Sequence, residues 1–407
     1  MEFNKLKEIE KDPYSALGVS SKKEGVHEAT KNLSKGLFLG TFCKILPLIG
    51  NLPQEVKDNY VQILHSDGVG TKSNIAYIAR KEGYSTNTFQ TLPQDALVMN
   101  LDDLACVGAF DNFYISNHIA RNSNRISNED ITTIIQGYQD FFQKASDLGI
   151  NIFDAGGETA DVGSYTTTLG IDVTASTIIE KNKIIDCDNI PTNGYIVGLA
   201  SNGQSSYENQ PNSGIRSNGL TLAINSLLNS YYRKYPETMD QTVDQNKLFT
   251  GPYRLNDVIQ DTNTGEKFTI SEAILSPTRT YLPILKMCQE YGIEICGIIH
   301  CTGGGLTKSI KFGKQIRYVK SNLPATPIIF SEIQEARNIK DKYMYQTFNM
   351  GVGLEIIVPN EKEAELLIKI ANYFDVSAKI IGYTEIAKHN TNEVIIEKNG
   401  IPLEYKL

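Results

Sequence analysis

Between Asp67 and Lys72 the chain sets a carboxylate, two glycines, a hydroxyl and an ammonium in one turn, Asp67-Gly68-Val69-Gly70-Thr71-Lys72, directly after the apolar run Tyr60 to Leu64. These groups suit a metal-bound phosphate. Asp67 offers a hard oxygen ligand for Mg²⁺, Lys72 can neutralise phosphate charge, and Gly68 and Gly70 admit positive φ and close approach to the backbone. The spacing is not that of a Walker A loop, and a lone Asp-Gly turn between strands is usually just a turn. A second acidic loop, Ala155-Gly156-Gly157-Glu158-Thr159-Ala160-Asp161, follows the strand-like Ile150 to Asp154. Between the two loops, Asp95 to Val107 reads as a helix whose Asp95, Asp102 and Asp103 fall near one face. Its other residues are apolar, and carboxylates in such company need a partner. Two acidic glycine loops with a carboxylate helix between them read as the wall of a polyphosphate and metal site.

The second half carries its own chemistry. The apolar stretch from Gly297 ends in His300-Cys301-Thr302-Gly303-Gly304-Gly305-Leu306. Three successive glycines are costly to order, which suggests that their amides reach a ligand. His300 suits donation to phosphate or proton transfer, or it is a satisfied core histidine. Ser217-Asn218-Gly219, before the helix-like Leu220 to Leu228, makes either an anion-binding helix start or a simple cap. Ser276 to Tyr281 is expected to begin a helix with Pro277 in its first turn and Arg279 open to a phosphate.

The elements that must position these groups follow from periodicity. Ser127 to Leu148 is amphipathic at helical spacing, with Ser127 and Asp130 capping its start and Gly149 stopping it. Strand-like Thr166 to Ile179 closes the first half, and the polar segment Glu180 to Gly194 is the best boundary. A buried strand from Tyr195 opens the second half. Tyr235 to Gly265 looks like a surface excursion without chemistry. A helix at Glu361 to Phe374 capped by Asn360, then strands at 378–384 and 393–397, finish the chain. Two domains are expected, 1–185 and 190–407.

With 407 residues, 41% hydrophobic and 21% charged, the chain can bury a sizeable core. A net charge of -8 with no basic stripe argues against nucleic acid as a partner. No run reaches the roughly 18 apolar residues of a membrane span, so no membrane partner and a cytoplasmic location are expected. Six scattered cysteines without a C-x-x-C pair imply reduced, structural thiols.

Taken in order, Asp67 to Lys72, Gly156 to Ala160, Gly198 to Ser201, Ser217 to Gly219, Pro277 to Arg279, His300 to Leu306 and Thr347 to Gly353 resemble the motifs of the aminoimidazole ribonucleotide synthetases, the phosphoribosylformylglycinamidine cyclo-ligases. The likeness runs from about Tyr14 to Tyr383. It implies an ATP-dependent ring closure of formylglycinamidine ribonucleotide in purine biosynthesis, through phosphorylation of the amide oxygen. It also implies an α/β (α+β) two-domain synthetase fold, with an N-terminal ATP- and metal-binding domain whose sheet joins that of a second subunit in a homodimer, and a C-terminal α+β substrate-binding domain. Carried over by position, the ATP site comprises Asp67, Gly68, Gly70, Thr71, Lys72, Asp102, Gly157 and Glu158. Asp67, Asp103 and Glu158 hold Mg²⁺. Ser217, Asn218, Gly219, Thr302 and Gly303 to Gly305 border the phosphorylated ribonucleotide, and His300, Lys72 and Asp103 are the catalytic group.

Departures accompany the likeness. Asp102-Asp103 stands where the family has Asn-Asp. The loop at Gly40-Thr41-Phe42-Cys43 is poor in glycine, Arg216 replaces a histidine, and residues 204–214 and 235–265 are additions. A related phosphotransferase, selenophosphate synthetase-like or a small-molecule kinase, shares the acidic half of the pattern and is the rival reading.

Overall fold

The computed structural model describes residues 13–14, 17–19, 29, 36–84, 88–261 and 265–406. The polar, helix-compatible segment before Lys35 therefore lies almost wholly outside the described residues.

The first half is one five-stranded sheet with helices on one face. Its strands are β1 (Ile45–Pro47), β2 (Tyr60–Gly68), β3 (Phe113–Arg121), β4 (Ile152–Asp161) and β5 (Leu169–Glu180), in the order β1-β2-β5-β3-β4. All neighbours are antiparallel except β3 with β4. Successive side chains on a strand point to opposite faces. On β2, Val61 and Ile63 are buried, and on β5 so are Ile171, Val173 and Ala175. Among the described residues four helical elements accompany this sheet: α1 (Gln54–Asn59), α2 (Lys72–Glu82), α3 (Leu92–Ala105) and α4 (Asn128–Asp147). The expected cap of α4 is present: Ser127 and Asp130 bond each other's backbone N–H groups in a capping box, and Gly149 follows at φ 74°.

The second half holds a seven-stranded sheet. Its members are β6 (Tyr195–Ala200), β11 (Gly297–His300), β12 (Ile316–Lys320), β13 (Val352–Val358), β14 (Ala378–Ile386), β15 (Glu393–Lys398) and β16 (Ile401–Lys406), in the order β11-β13-β6-β14-β12-β15-β16. Two small ribbons lie apart from it, β7 (Asn202–Gly203) with β8 (Asn212–Ser213), and β9 (Val258–Gln260) with β10 (Lys267–Thr269). The helix Glu361–Tyr373 is capped by Asn360 as its sequence predicts.

Two expectations are corrected here. Residues 276–281 are not a helix; the next helix, Leu282–Glu290, starts afterwards with Pro283 in its first turn. The 235–265 segment is not merely a surface excursion, because Leu248, Phe249, Leu255 and Ile259 are buried. It also docks on α2: the Tyr77 hydroxyl donates to Glu237 at 2.7 Å, and the Tyr235 hydroxyl to Glu82 at 2.5 Å.

Candidate functional site

Helix α3 is where the two halves meet. Its carboxylates do not converge on one cation, as their shared face suggested; each is held by residues of the second half. Asp95 Oδ1 accepts from Ser217 Oγ at 2.9 Å, from the Thr278 N–H at 2.9 Å and from Thr278 Oγ1 at 2.5 Å. Asp102 accepts from Thr280 Oγ1 at 2.8 Å. Asp103 Oδ1 lies 2.5 Å from Nδ1 of His300. The helix needs these partners because every one of the three carboxylates is buried.

His300 stands at the end of β11 with 0% exposure. An Arg216 N–H donates to its Nε2, leaving Nδ1 to carry the proton toward Asp103. Burial, reinforced by the Arg216 charge and only partly opposed by Asp103, lowers the His300 pKa to about 4. The imidazole is therefore neutral at physiological pH and orients Asp103. Burial raises the pKa of Asp103, but Lys308 and the His300 hydrogen bond outweigh it, so the carboxyl stays below its ordinary range and ionised. Asp102 differs: burial, with Arg216 opposing, lifts it to about 7. Arg216 itself adopts φ 61°, a left-handed backbone uncommon for a non-glycine residue. It also donates to the Gly353 carbonyl at 3.2 Å, which fixes the second half's β13 to the same cluster.

The remaining residues expected to do chemistry are spread. Lys72 is 0% exposed, and its ammonium bonds Asp95 Oδ1 at 2.7 Å and the Ser276 carbonyl at 2.8 Å. A phosphate reaching it must first displace Asp95. Gly68 lies opposite Asp172, Asp172 opposite His118, and His118 opposite Glu158. Glu158 therefore shares the outer face with Asp172, whereas Asp67, one residue before Gly68, has the inner parity of Val173. Among the described residues, no three His, Cys, Asp or Glu side chains are gathered so as to hold a metal ion. The expected meeting of Asp67, Asp103 and Glu158 at one Mg²⁺ is thus not formed within this chain's described residues.

Other motif residues sit as follows. Thr71 Oγ1 is 2.9 Å from Thr221 Oγ1, tying the first turn to the second half. A Cβ on Gly157 would come within 2.1 Å of the Asn117 carbonyl, so close strand approach explains that glycine. Gly70 faces open space. Asn218 Oδ1 is buried without a hydrogen-bond partner among the described residues. Gly219 is explained by packing, since a Cβ there would meet Phe348 at 2.4 Å. The three glycines divide. Gly305 donates its N–H to the Thr302 carbonyl at 2.8 Å and has no room for a Cβ beneath the Tyr345 and Phe348 carbonyls, whereas Gly303 faces open space.

Arg279 is not available to a phosphate. It is 1% exposed, paired with Glu208, and donates to the carbonyls of Ala200, Asn202 and Gly203. Glu208 belongs to the additional 204–214 segment, so the addition supplies the arginine's partner. Sequence reasoning missed Lys308, whose Nζ bonds Thr302 Oγ1, and Arg216 as the partner of His300. The signal for Lys308 was its place just after the glycines. For Arg216 no sequence signal pointed to the histidine. A cavity of about 660 Å³ opens between the start of α3, α4 and segments 208–212 and 269–277; none of the residues expected to do chemistry lines it.

Both halves of the chain match one family, the AIR synthase related proteins, with the N-terminal domain at residues 48–179 and the C-terminal domain at 254–394. The chain belongs to that family. Within it, the phosphoribosylformylglycinamidine cyclo-ligase of Methanocaldococcus jannaschii is 32% identical over 339 residues, 83% of this chain and 82% of that protein. The cyclo-ligase of Acetivibrio thermocellus is 30% identical over 357 residues, covering 85% and 86%. The motif resemblance to the cyclo-ligases is therefore borne out. Among solved structures, phosphoribosylformylglycinamidine synthase II of Thermotoga maritima matches 97% of this chain and 50% of its own at 13% identity and a TM-score of 0.54. A HypE–HypF complex matches 94% and 98% at 12% identity and a TM-score of 0.52. Both show a shared fold.

Proposed function

We propose that this protein is an ATP-dependent cyclo-ligase that converts formylglycinamidine ribonucleotide to aminoimidazole ribonucleotide in purine biosynthesis. The reading rests on one observation above others: the cyclo-ligase motifs Ser217-Asn218-Gly219 and His300 to Gly305 close onto the α3 carboxylates through Asp95–Ser217 and Asp103–His300. ATP phosphorylates the amide oxygen, the amidine nitrogen attacks the activated carbon, and the phosphate leaves with that oxygen as the ring forms. ADP and phosphate are the by-products. In this scheme ATP lies along Asp67 to Thr71 and Gly157-Glu158, and the ribonucleotide near Ser217, Asn218 and Thr302 to Gly304. His300 holds Asp103 ionised and oriented toward the reacting groups. Mg²⁺ would supply charge neutralisation on the nucleotide. The described donors form no ready seat for it, so no step here passes through a protein-held ion.

Purified protein given ATP, magnesium and formylglycinamidine ribonucleotide is expected to release ADP and imidazole product in equal amounts, and only when the ribonucleotide is present. ADP release without ring product would transfer the assignment to the phosphotransferases.

The proposal includes a homodimer and a cytoplasmic location; no helix among the described residues is long and apolar enough to cross a membrane. The dimer is supported by the outer face of the first sheet, where Leu64, Tyr114, Phe153 and Ile178 are exposed, Tyr114 at 58% and Ile178 at 52%. Tyr114 and Phe153 pack their rings 5.4 Å apart on that bare face. An apolar patch of this kind marks an interaction surface. Ile178→Asp is expected to shift the sedimentation coefficient from dimer to monomer; an unchanged dimer would place the interface elsewhere.

A further inference from the structure

The sequence assigns phosphate neutralisation to Lys72, but that ammonium is enclosed and paired with Asp95. Lys308 is the contrasting case. Among the described residues it makes no ion pair with a carboxylate. Its Nζ bonds Thr302 Oγ1 and lies 4.3 Å from the centroid of the Phe42 ring. Phe42 in turn stacks on Phe312 with centroids 5.1 Å apart, so the ammonium rests on a fixed aromatic floor. Beside it Gly303 is exposed, with nothing within 4 Å of where a Cβ would stand. Neither the Gly303 nor the Gly304 N–H donates to another described group, whereas Gly305 is committed to Thr302.

A half-buried lysine that lowers the Asp103 pKa through its charge yet contacts no carboxylate among the described residues, a hydroxyl and two unspent amides form a seat for a tetrahedral dianion. We propose that Lys308 is the cation that receives the phosphate monoester of the ribonucleotide, with Thr302 Oγ1 and the amides of Gly303 and Gly304 beside it. The identity of that ribonucleotide rests on the function proposed above. Phosphate groups come from two sources in this reaction, and the geometry favours the substrate over ATP because the ammonium, hydroxyl and amides of the seat all belong to the second half, the first half adding only the Phe42 ring beneath.

The test uses the full-length protein with Lys308→Met and Lys308→Arg. A charge-assisted hydrogen bond of typical strength corresponds to roughly a 10- to 100-fold change in affinity. Lys308→Met is therefore expected to raise the KM for formylglycinamidine ribonucleotide by that factor while leaving the KM for ATP unchanged, and Lys308→Arg, which keeps the charge near Asp103, to recover most of the loss. A rise in the KM for ATP alone, or no change in either, overturns the assignment. Equilibrium dialysis of ribose 5-phosphate against ribose separates this proposal from the function it rests on. If the wild type lacks cyclo-ligase turnover yet binds ribose 5-phosphate through Lys308, the functional reading fails and the seat stands. If it turns over normally and Lys308→Met binds ribose 5-phosphate unchanged, the seat fails and the function stands.

Discussion

Replacing Lys72 with methionine is expected to lower the folding free energy by roughly 3–5 kcal/mol, read from the urea midpoint, because it leaves a buried carboxylate without its counter-charge. Asp95 has no exposed surface; its Oδ1 accepts from Lys72, Ser217 and Thr278, and its Oδ2 has no hydrogen-bond partner among the described residues. The remaining neutral donors cannot supply the missing charge. Burial pulls the Lys72 pKa down while Asp95 opposes it, as expected for an ammonium whose charge depends on one partner. The double variant Lys72→Met/Asp95→Leu is expected to recover much of the loss, since removing both charges removes the desolvation cost together with the attraction. Had Lys72 instead been a phosphate-binding cation at an open cleft, Lys72→Met would leave the urea midpoint in place and raise the KM for ATP. That pattern would reject the structural role.

The second large effect concerns acid. In metal-free buffer, Asp102→Asn is expected to make the protein progressively less stable than wild type as pH falls from 7 to 4, by about 1.4 kcal/mol per unit. The direction follows from two groups that oppose each other. His300 is held down at about 4 when folded, against about 6.5 unfolded. Its contribution is present above about pH 6.5 and is lost as pH falls toward 4. Asp102 is raised to about 7 when folded, against about 3.9 unfolded. Its contribution is present below about pH 3.9 and is lost as pH rises through 7. Between pH 6.5 and 4 the unfolded chain gains a proton at His300 while the folded chain gains one at Asp102. The two changes nearly cancel in the wild type. Asparagine keeps an acceptor for Thr280 and removes the second titration, exposing the first. Parallel stability profiles for wild type and Asp102→Asn between pH 4 and 7 would refute this account.

Both effects arise in contacts between segments far apart in the chain, and this is where sequence and structure divide. The capping box at Ser127 and Asp130, the Asn360 cap, and the strand ending in His300 were legible because each depends on residues a few positions apart. The family was legible too, since its motifs are contiguous and their order survives without any coordinates. Partner identity was not. Asp95 and Asp102 looked like metal ligands on one helical face. Their carboxylates are instead consumed by Lys72, Ser217, Thr278 and Thr280, three of which lie more than a hundred residues away. Arg279 looked free until residues 204–214 placed Glu208 against it.

What the sequence determined by itself was the inventory: an α/β chain in two halves, acidic glycine loops in one, and a histidine with three glycines in the other. Tertiary structure alone decided which charges are spent inside and which face a ligand. A buried charge must find its counter-charge wherever the fold brings one, and sequence spacing constrains only neighbours within a turn or a strand. Lys72 and Lys308 are the same residue type; only the packing around them makes one a structural ion and leaves the other without a carboxylate in contact among the described residues.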